Sequence, residues 1–146
     1  MGVFTGKVQS MKLLIDTNIV IDVALERQLF FEDSDRVLAL AEEKAFDGYL
    51  SAASITDIFY VVRKDKGKYL TFEFLQYMVS FCSIATVDEI VIKNALASNP
   101  KDFEDAIQYQ TALIAGLDGI VTRNPKDYTQ SSISVFTPTE LLAEIG

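Results

Sequence analysis

The sequence predicts an α/β protein: a three-layer α/β/α sandwich with a central parallel sheet. Two observations carry that expectation. Short apolar runs alternate along the chain with segments whose apolar residues fall at helical spacing. Strands separated by helices pair in parallel and bury both faces of their sheet. At 146 residues the chain is one domain's length, long enough to bury a core, with no internal repeat, low-complexity tract or linker.

Met11 stands directly before the first strand, so residues 1–10 read as a leader or tag-like extension and 11–146 as a single domain. "KLLID" (12–16) is a strand, and "TNIVIDVALE" (17–26) a helix that starts directly after it. "RQLFFEDS" (27–34) is expected to be a loop, and "DRVLALAEEKA" (35–45) a helix with Val37, Leu38, Leu40 and Ala41 on one face. "GYLS" (48–51) forms the second strand, followed by helices over 54–65 and 68–82 with Gly67 between them. "IATV" (84–87) is the third strand, and helices follow over 88–98 and 102–116. "GIVT" (119–122) and "ISVF" (133–136) complete the sheet. The last helix, 137–145, carries a proline suited to its first turn.

Composition excludes several chemistries. The chain has no histidine, which removes Ser-His-Asp and Cys-His catalysis and every histidine-ligated metal. Cys82 is the single cysteine, so one chain forms neither a disulfide nor a thiolate zinc site. No apolar run reaches the roughly 18 residues of a membrane span. A cytoplasmic address fits these features. The net charge of −8 argues against nucleic-acid binding when taken alone. Divalent ions in an acidic pocket would reverse that sign locally.

The carboxylates supply the functional reading. In open parallel sheets, ligands bind beyond the carboxyl ends of the strands, where strand order reverses. Asp16 ends the first strand; Thr122, Arg123, Asn124 and Asp127 follow the fourth. Asp57 and Asp105 lie in the first turns of helices that open toward the same end. Plain alternatives stand beside each. Asp57 with Ser54, and Asp105 with Asp102, have the spacing of helix caps, and Asp127 in "NPKD" suits a turn. Asp16 has the weakest alternative, because a strand end enclosed by helices offers its charge little water. Converging like charges are costly unless a cation joins them, and carboxylates without His or Cys suit Mg²⁺ or Mn²⁺. Such ions activate water and offset charge in phosphodiester hydrolysis.

The segments "LLIDTNIVID", "SAASITDIFYVVRK", "DFEDAIQYQTALIAGLDGIVTRNPKDY" and "VFTPTELL" together resemble the PIN-domain ribonucleases, particularly their VapC-like toxin branch. The resemblance implies that Asp16 is the central metal ligand and that Asp105 helps hold the same ion. It makes Asp57 the second acid, a position more often Glu. Either Asn124 or Asp127 completes the site, while Asn18 and Thr122 position water or the ion's outer shell. It implies metal-dependent cleavage of RNA, with Arg123, Lys126 and "RKDKGK" (63–68) as candidate phosphate contacts, although Lys66 and Lys68 read better as solvated lysines at a helix end. It also implies a homodimer and a small antitoxin partner. Tyr60, Phe72, Phe74, Tyr77 and Phe81 either line the antitoxin's groove or pack in the core, and core packing is the reading taken for most of them.

Two rivals remain. A phosphatase or phosphoacceptor with Asp16 as nucleophile wants a second acid two residues on, where Asn18 stands. A degenerate PIN fold, binding RNA or protein without cutting, is kept open by Asp57 and Asn124.

Overall fold

A computed structural model describes residues 11–128 and 131–145. The expected extension over 1–10 lies outside the described residues. Five strands, β1 (Lys12–Ile15), β2 (Asp47–Ser51), β3 (Ser83–Ala85), β4 (Gly119–Val121) and β5 (Ser134–Phe136), form one sheet in the order β3-β2-β1-β4-β5. Each neighbouring pair is parallel; Leu14 pairs with Tyr49 on one side and Ile120 on the other. Consecutive winding from β1 runs outward through β2 and β3, and the chain then returns to β1's other side with β4. The reversal therefore lies between β1 and β4, where Asp16 emerges.

The helices are α1 (Thr17–Ala24), α2 (Phe31–Glu42), α3 (Ser54–Lys66), α4 (Lys68–Phe81), α5 (Glu89–Ala97), α6 (Phe103–Ile114) and α7 (Pro138–Ile145). A 3₁₀ turn, Pro125–Tyr128, follows β4. Alternate side chains of β1 enter opposite cores, because successive residues of a strand point to opposite faces. Leu13 and Ile15 pack with Ile19, Val37, Ile58, Met78 and Leu141, from α1, α2, α3, α4 and α7. Leu14 packs on the other face with Ala112, Ile120 and Tyr128. Val91, Ala95 and Ile107 then seal α5 onto α6. The three-layer arrangement is as expected.

The expected loop 27–34 is the main departure. Helix α2 begins at Phe31, whose N–H bonds the Arg27 carbonyl at 2.7 Å. Glu32 and Asp33 fill its first turn, where acidic side chains meet the positive end of the helix dipole. The same helix stops early. Lys44 takes a left-handed φ of 64°, and its Nζ donates to the Phe81 carbonyl at 3.0 Å, satisfying the end of α4. Elsewhere the boundaries differ by at most two residues. Gly119 has a steric reason: a Cβ there would stand 2.6 Å from the Ser134 carbonyl oxygen. At the last helix, Thr137 and Glu140 exchange side-chain bonds to each other's backbone N–H at 3.1 and 2.9 Å, a reciprocal cap.

Candidate active site

Asp16 is the N-cap residue of α1, with extended backbone that lets β1 pass straight into the helix. Its N–H completes the sheet by donating to the Val121 carbonyl at 2.9 Å. The side chain is 5% exposed. Thr122 Oγ1 donates to Oδ2 at 2.7 Å, and Gln108 Nε2 donates to Oδ1 at 3.3 Å. Burial pushes the Asp16 carboxyl up from its ordinary range; the Thr122, Gln108 and Thr17 backbone hydrogen bonds pull against that, and Asp127 adds to it. A carboxylate is thus held in place from two sides at the sheet's switch point.

Asp105 sits half-buried in the first turn of α6, and its carboxyl is pushed up to about 7, first by burial and then by Asp127, Asp102, Asp16 and Glu104. Glu104 is raised as well, by burial and then by Asp57, Asp102 and Asp16. Asp16, Asp105, Asp127, Asp57 and Glu104 therefore share one electrostatic neighbourhood. Asp57 and Glu104 line a cavity of about 230 Å³ together with Thr17, Ser54, Phe103 and Gln108. Among the described residues, Gln108 Oε1 and Thr17 Oγ1 are buried with no hydrogen-bond partner, and both residues belong to that cavity.

The predicted residues divide. Asp16 and Thr122 touch, and the charges of Asp105, Asp127 and Asp57 bear on that centre. Asp57 is not explained as a cap: Ala53 is the N-cap residue of α3, and Ser54 Oγ donates instead to the Ser51 carbonyl. Asp102 is a cap, its Oδ1 accepting the Asp105 N–H at 3.0 Å. Asn124 and Asp127 are both exposed; Asn124 donates its N–H to Thr122 Oγ1 at 3.0 Å, and Asp127 its N–H to the Asn124 carbonyl. Asn18 is half-buried in the first turn of α1.

Arg123 departs from the phosphate-contact expectation. Its Nε and terminal nitrogen donate to Asp22 at 2.6 and 3.2 Å, and its guanidinium lies 3.9 Å from the centre of the Phe30 ring. The edge of the fork is committed to Asp22 and its face to an aromatic. Core packing also fails for part of the aromatic set. Phe81 is buried and Phe74 packs partly on the core, but Tyr60, Phe72 and Tyr77 are 56%, 45% and 44% exposed.

Sequence reasoning did not assign Gln108, Glu104 or Asp22 to the site. Glu104 stood in view beside Asp105, and Asp22 was legible as an acid in an otherwise apolar helix. Nothing in the sequence distinguished Gln108 from an ordinary surface glutamine.

The donor set fits a hard divalent cation in chemistry: it is all oxygen, and burial with neighbouring acids pushes the Asp16, Glu104 and Asp105 carboxyls up. Among the described residues, no three acids stand close enough to form a ready-made ligand set.

Comparison with known proteins bears on the fold and the family. The chain is 28% identical over 137 residues to a protein named Ribonuclease VapC1 from Aquifex aeolicus, covering 90% of this chain and 93% of that one. Its fold matches a toxin–antitoxin complex from Klebsiella pneumoniae with a TM-score of 0.64 at 23% identity, over 86% of this chain and 97% of that one. It also matches FitAcB from Neisseria gonorrhoeae, with a TM-score of 0.64 at 23% identity, over 87% and 98%. The family model for the PIN domain matches residues 12–126, and the chain belongs to that family.

Proposed function

We propose that this protein is a metal-dependent endoribonuclease, the toxin of a toxin–antitoxin pair acting in the cytoplasm. The observation that carries the reading is Asp16: a carboxylate 5% exposed, held by Thr122 and Gln108 at the switch point, its pKa pushed up by burial and then by the charge of Asp127. Burying charge in this way costs stability unless it serves a ligand. Asp16, Asp105 and Asp127 would hold the ion, Mg²⁺ or Mn²⁺. Bound there, a divalent cation supplies Lewis acidity and neutralises charge at a phosphodiester. Thr122 and Gln108 fix both oxygens of Asp16, so its carboxylate does not need to reorganise when the substrate arrives. Asp57, on the cavity wall with Glu104, is read as the second acid of the site.

The partners follow from the same reading. The substrate is RNA, whose loops are recognised by shape and splayed bases. The exposed apolar residues of α3 and α4, among them Tyr60, Tyr69, Leu70 and Phe72, suit burial against an antitoxin or a second copy. The test incubates the purified chain with structured RNAs plus Mg²⁺ or Mn²⁺, beside Asp16→Asn and Asp105→Asn. Cleavage by the wild-type chain alone supports the assignment, and equal cleavage by all three proteins refutes it.

One observation favours a second reading, a non-catalytic RNA- or protein-binding module. Among the described residues the acids form no closed ligand set. That reading predicts that neither ion binds and that no RNA is cut.

A further inference from the structure

We propose that the buried Asp22–Arg123 ion pair is a positioning device, holding the loop that carries Asn124 and Asp127 in register with Asp16. The proposal rests on the nuclease reading above, because that reading gives the loop its role.

Asp22 is fully buried in α1. Its carboxylate accepts from Arg123 Nε at 2.6 Å and from an Arg123 terminal nitrogen at 3.2 Å, a two-pronged contact across 101 residues of sequence. Arg27 and Ser34 donate to the same two oxygens at 3.3 and 3.2 Å. A carboxylate without solvent is thus supplied with donors on every side, as a buried charge requires.

The consequence lies in what α1 and the loop share. Asp16 stands at the N-cap position of α1, and Asp22 six residues further on, about 9 Å along the helix axis. Each grips a consecutive residue of the loop: Asp16 takes Thr122, and Asp22 takes Arg123. A single anchor would leave the loop free to swing about it. Two anchors spaced along one helix fix its orientation, and the fork geometry of a guanidinium on a carboxylate adds direction to the second. Phe30 closes the arrangement by covering the guanidinium face. From Thr122 the order passes onward, because its Oγ1 accepts the Asn124 N–H and the Asn124 carbonyl accepts the Asp127 N–H. Arg123 acts through Asp127 and does not touch substrate.

The test compares the wild-type chain with Arg123→Lys, which keeps the charge but loses the fork, with Asp22→Asn, and with Arg27→Met. The last removes a charged neighbour of Asp22 and leaves the Arg123 contact intact. The first readout is amide hydrogen exchange, which needs neither metal nor RNA. In Arg123→Lys, exchange at Asn124 and Asp127 should quicken ~10-fold or more while Ile120 in β4 stays protected. The second is Mn²⁺ affinity, which should weaken ~10-fold, in the range seen when groups orienting metal ligands are lost. Arg27→Met should show neither change, even where its Tm falls. The proposal is overturned if Arg123→Lys lowers Tm but leaves loop exchange and Mn²⁺ affinity within about twofold of wild type, the pattern of a merely structural pair. Should Asp22→Asn fail to fold, Arg123→Lys alone decides. A wild-type chain that cuts no RNA would sink the nuclease reading, whereas the exchange result would still answer whether the pair holds the loop.

Discussion

Thr122 Oγ1 donates to Asp16 Oδ2 at 2.7 Å, joining the ends of two neighbouring strands 106 residues apart in sequence. The same hydroxyl accepts the Asn124 N–H, so one side chain fixes the central acid and starts the loop beyond β4. A threonine at a parallel strand end does this well, because its branched Cβ suits the strand and its hydroxyl serves as donor and acceptor at once.

Replacing Asp16 by Asn separates function from stability. Asn keeps the shape, accepts from Thr122 through its oxygen and donates an amide N–H to Gln108 Oε1 once that amide turns over, and it removes a charge whose burial is unfavourable. RNA cleavage should be lost. Thermal stability should rise, by ~1 kcal/mol or ~2–4 °C in Tm for a chain of this size. Melting curves read beside a cleavage assay check both halves, and a sharp fall in Tm would show that the charge contributes favourably to the fold.

The acid cluster predicts a pH dependence of folding in metal-free buffer. The Asp105 carboxyl rises from 3.8 to about 7 in the folded chain. Between those values the folded state keeps a proton that the unfolded state has lost, so stability falls as pH rises. The stabilisation is complete below about pH 4 and gone by about pH 7. Denaturant titrations at several pH values should show this slope, and Asp105→Asn should flatten it. A slope unchanged by that substitution would mean that other groups cause it.

Gln108 presents a sharper case. Its Nε2 holds Asp16, while its Oε1 is buried without a partner among the described residues. Gln108→Leu deletes both, so the lost bond and the removed orphan offset each other. Stability should change by less than ~1 kcal/mol, whereas cleavage should fall ~10–100-fold through the loosened carboxylate. Activity equal to wild type would leave Gln108 as packing only.

Much of this was readable in the sequence, and the remainder fails for identifiable reasons. Strand β1 and its acid were legible because an apolar run ending in Asp has few solutions in a parallel sheet. Helix α2 begins inside the expected loop, where "LFFEDS" carries no turn-breaking residue and Glu32 and Asp33 meet the helix dipole. The capping rule succeeded for Asp102 and failed for Asp57, since Ser54 turns its hydroxyl back to Ser51. Arg123 reads as a phosphate contact because its proximity in sequence to Asp127 is visible, whereas its partner Asp22, 101 residues earlier in the chain, is not. The charge interaction between Glu104 and Asp57 likewise exists only once α3 and α6 face one cavity.

The most direct test of the central claim is a Mn²⁺ titration followed by electron paramagnetic resonance, with the wild-type chain beside Asp16→Asn and Asp127→Asn. The account predicts saturable binding to the wild type, its loss in Asp16→Asn and its weakening in Asp127→Asn. Binding that is absent from the wild type, or unchanged when Asp16 is neutralised, would contradict it.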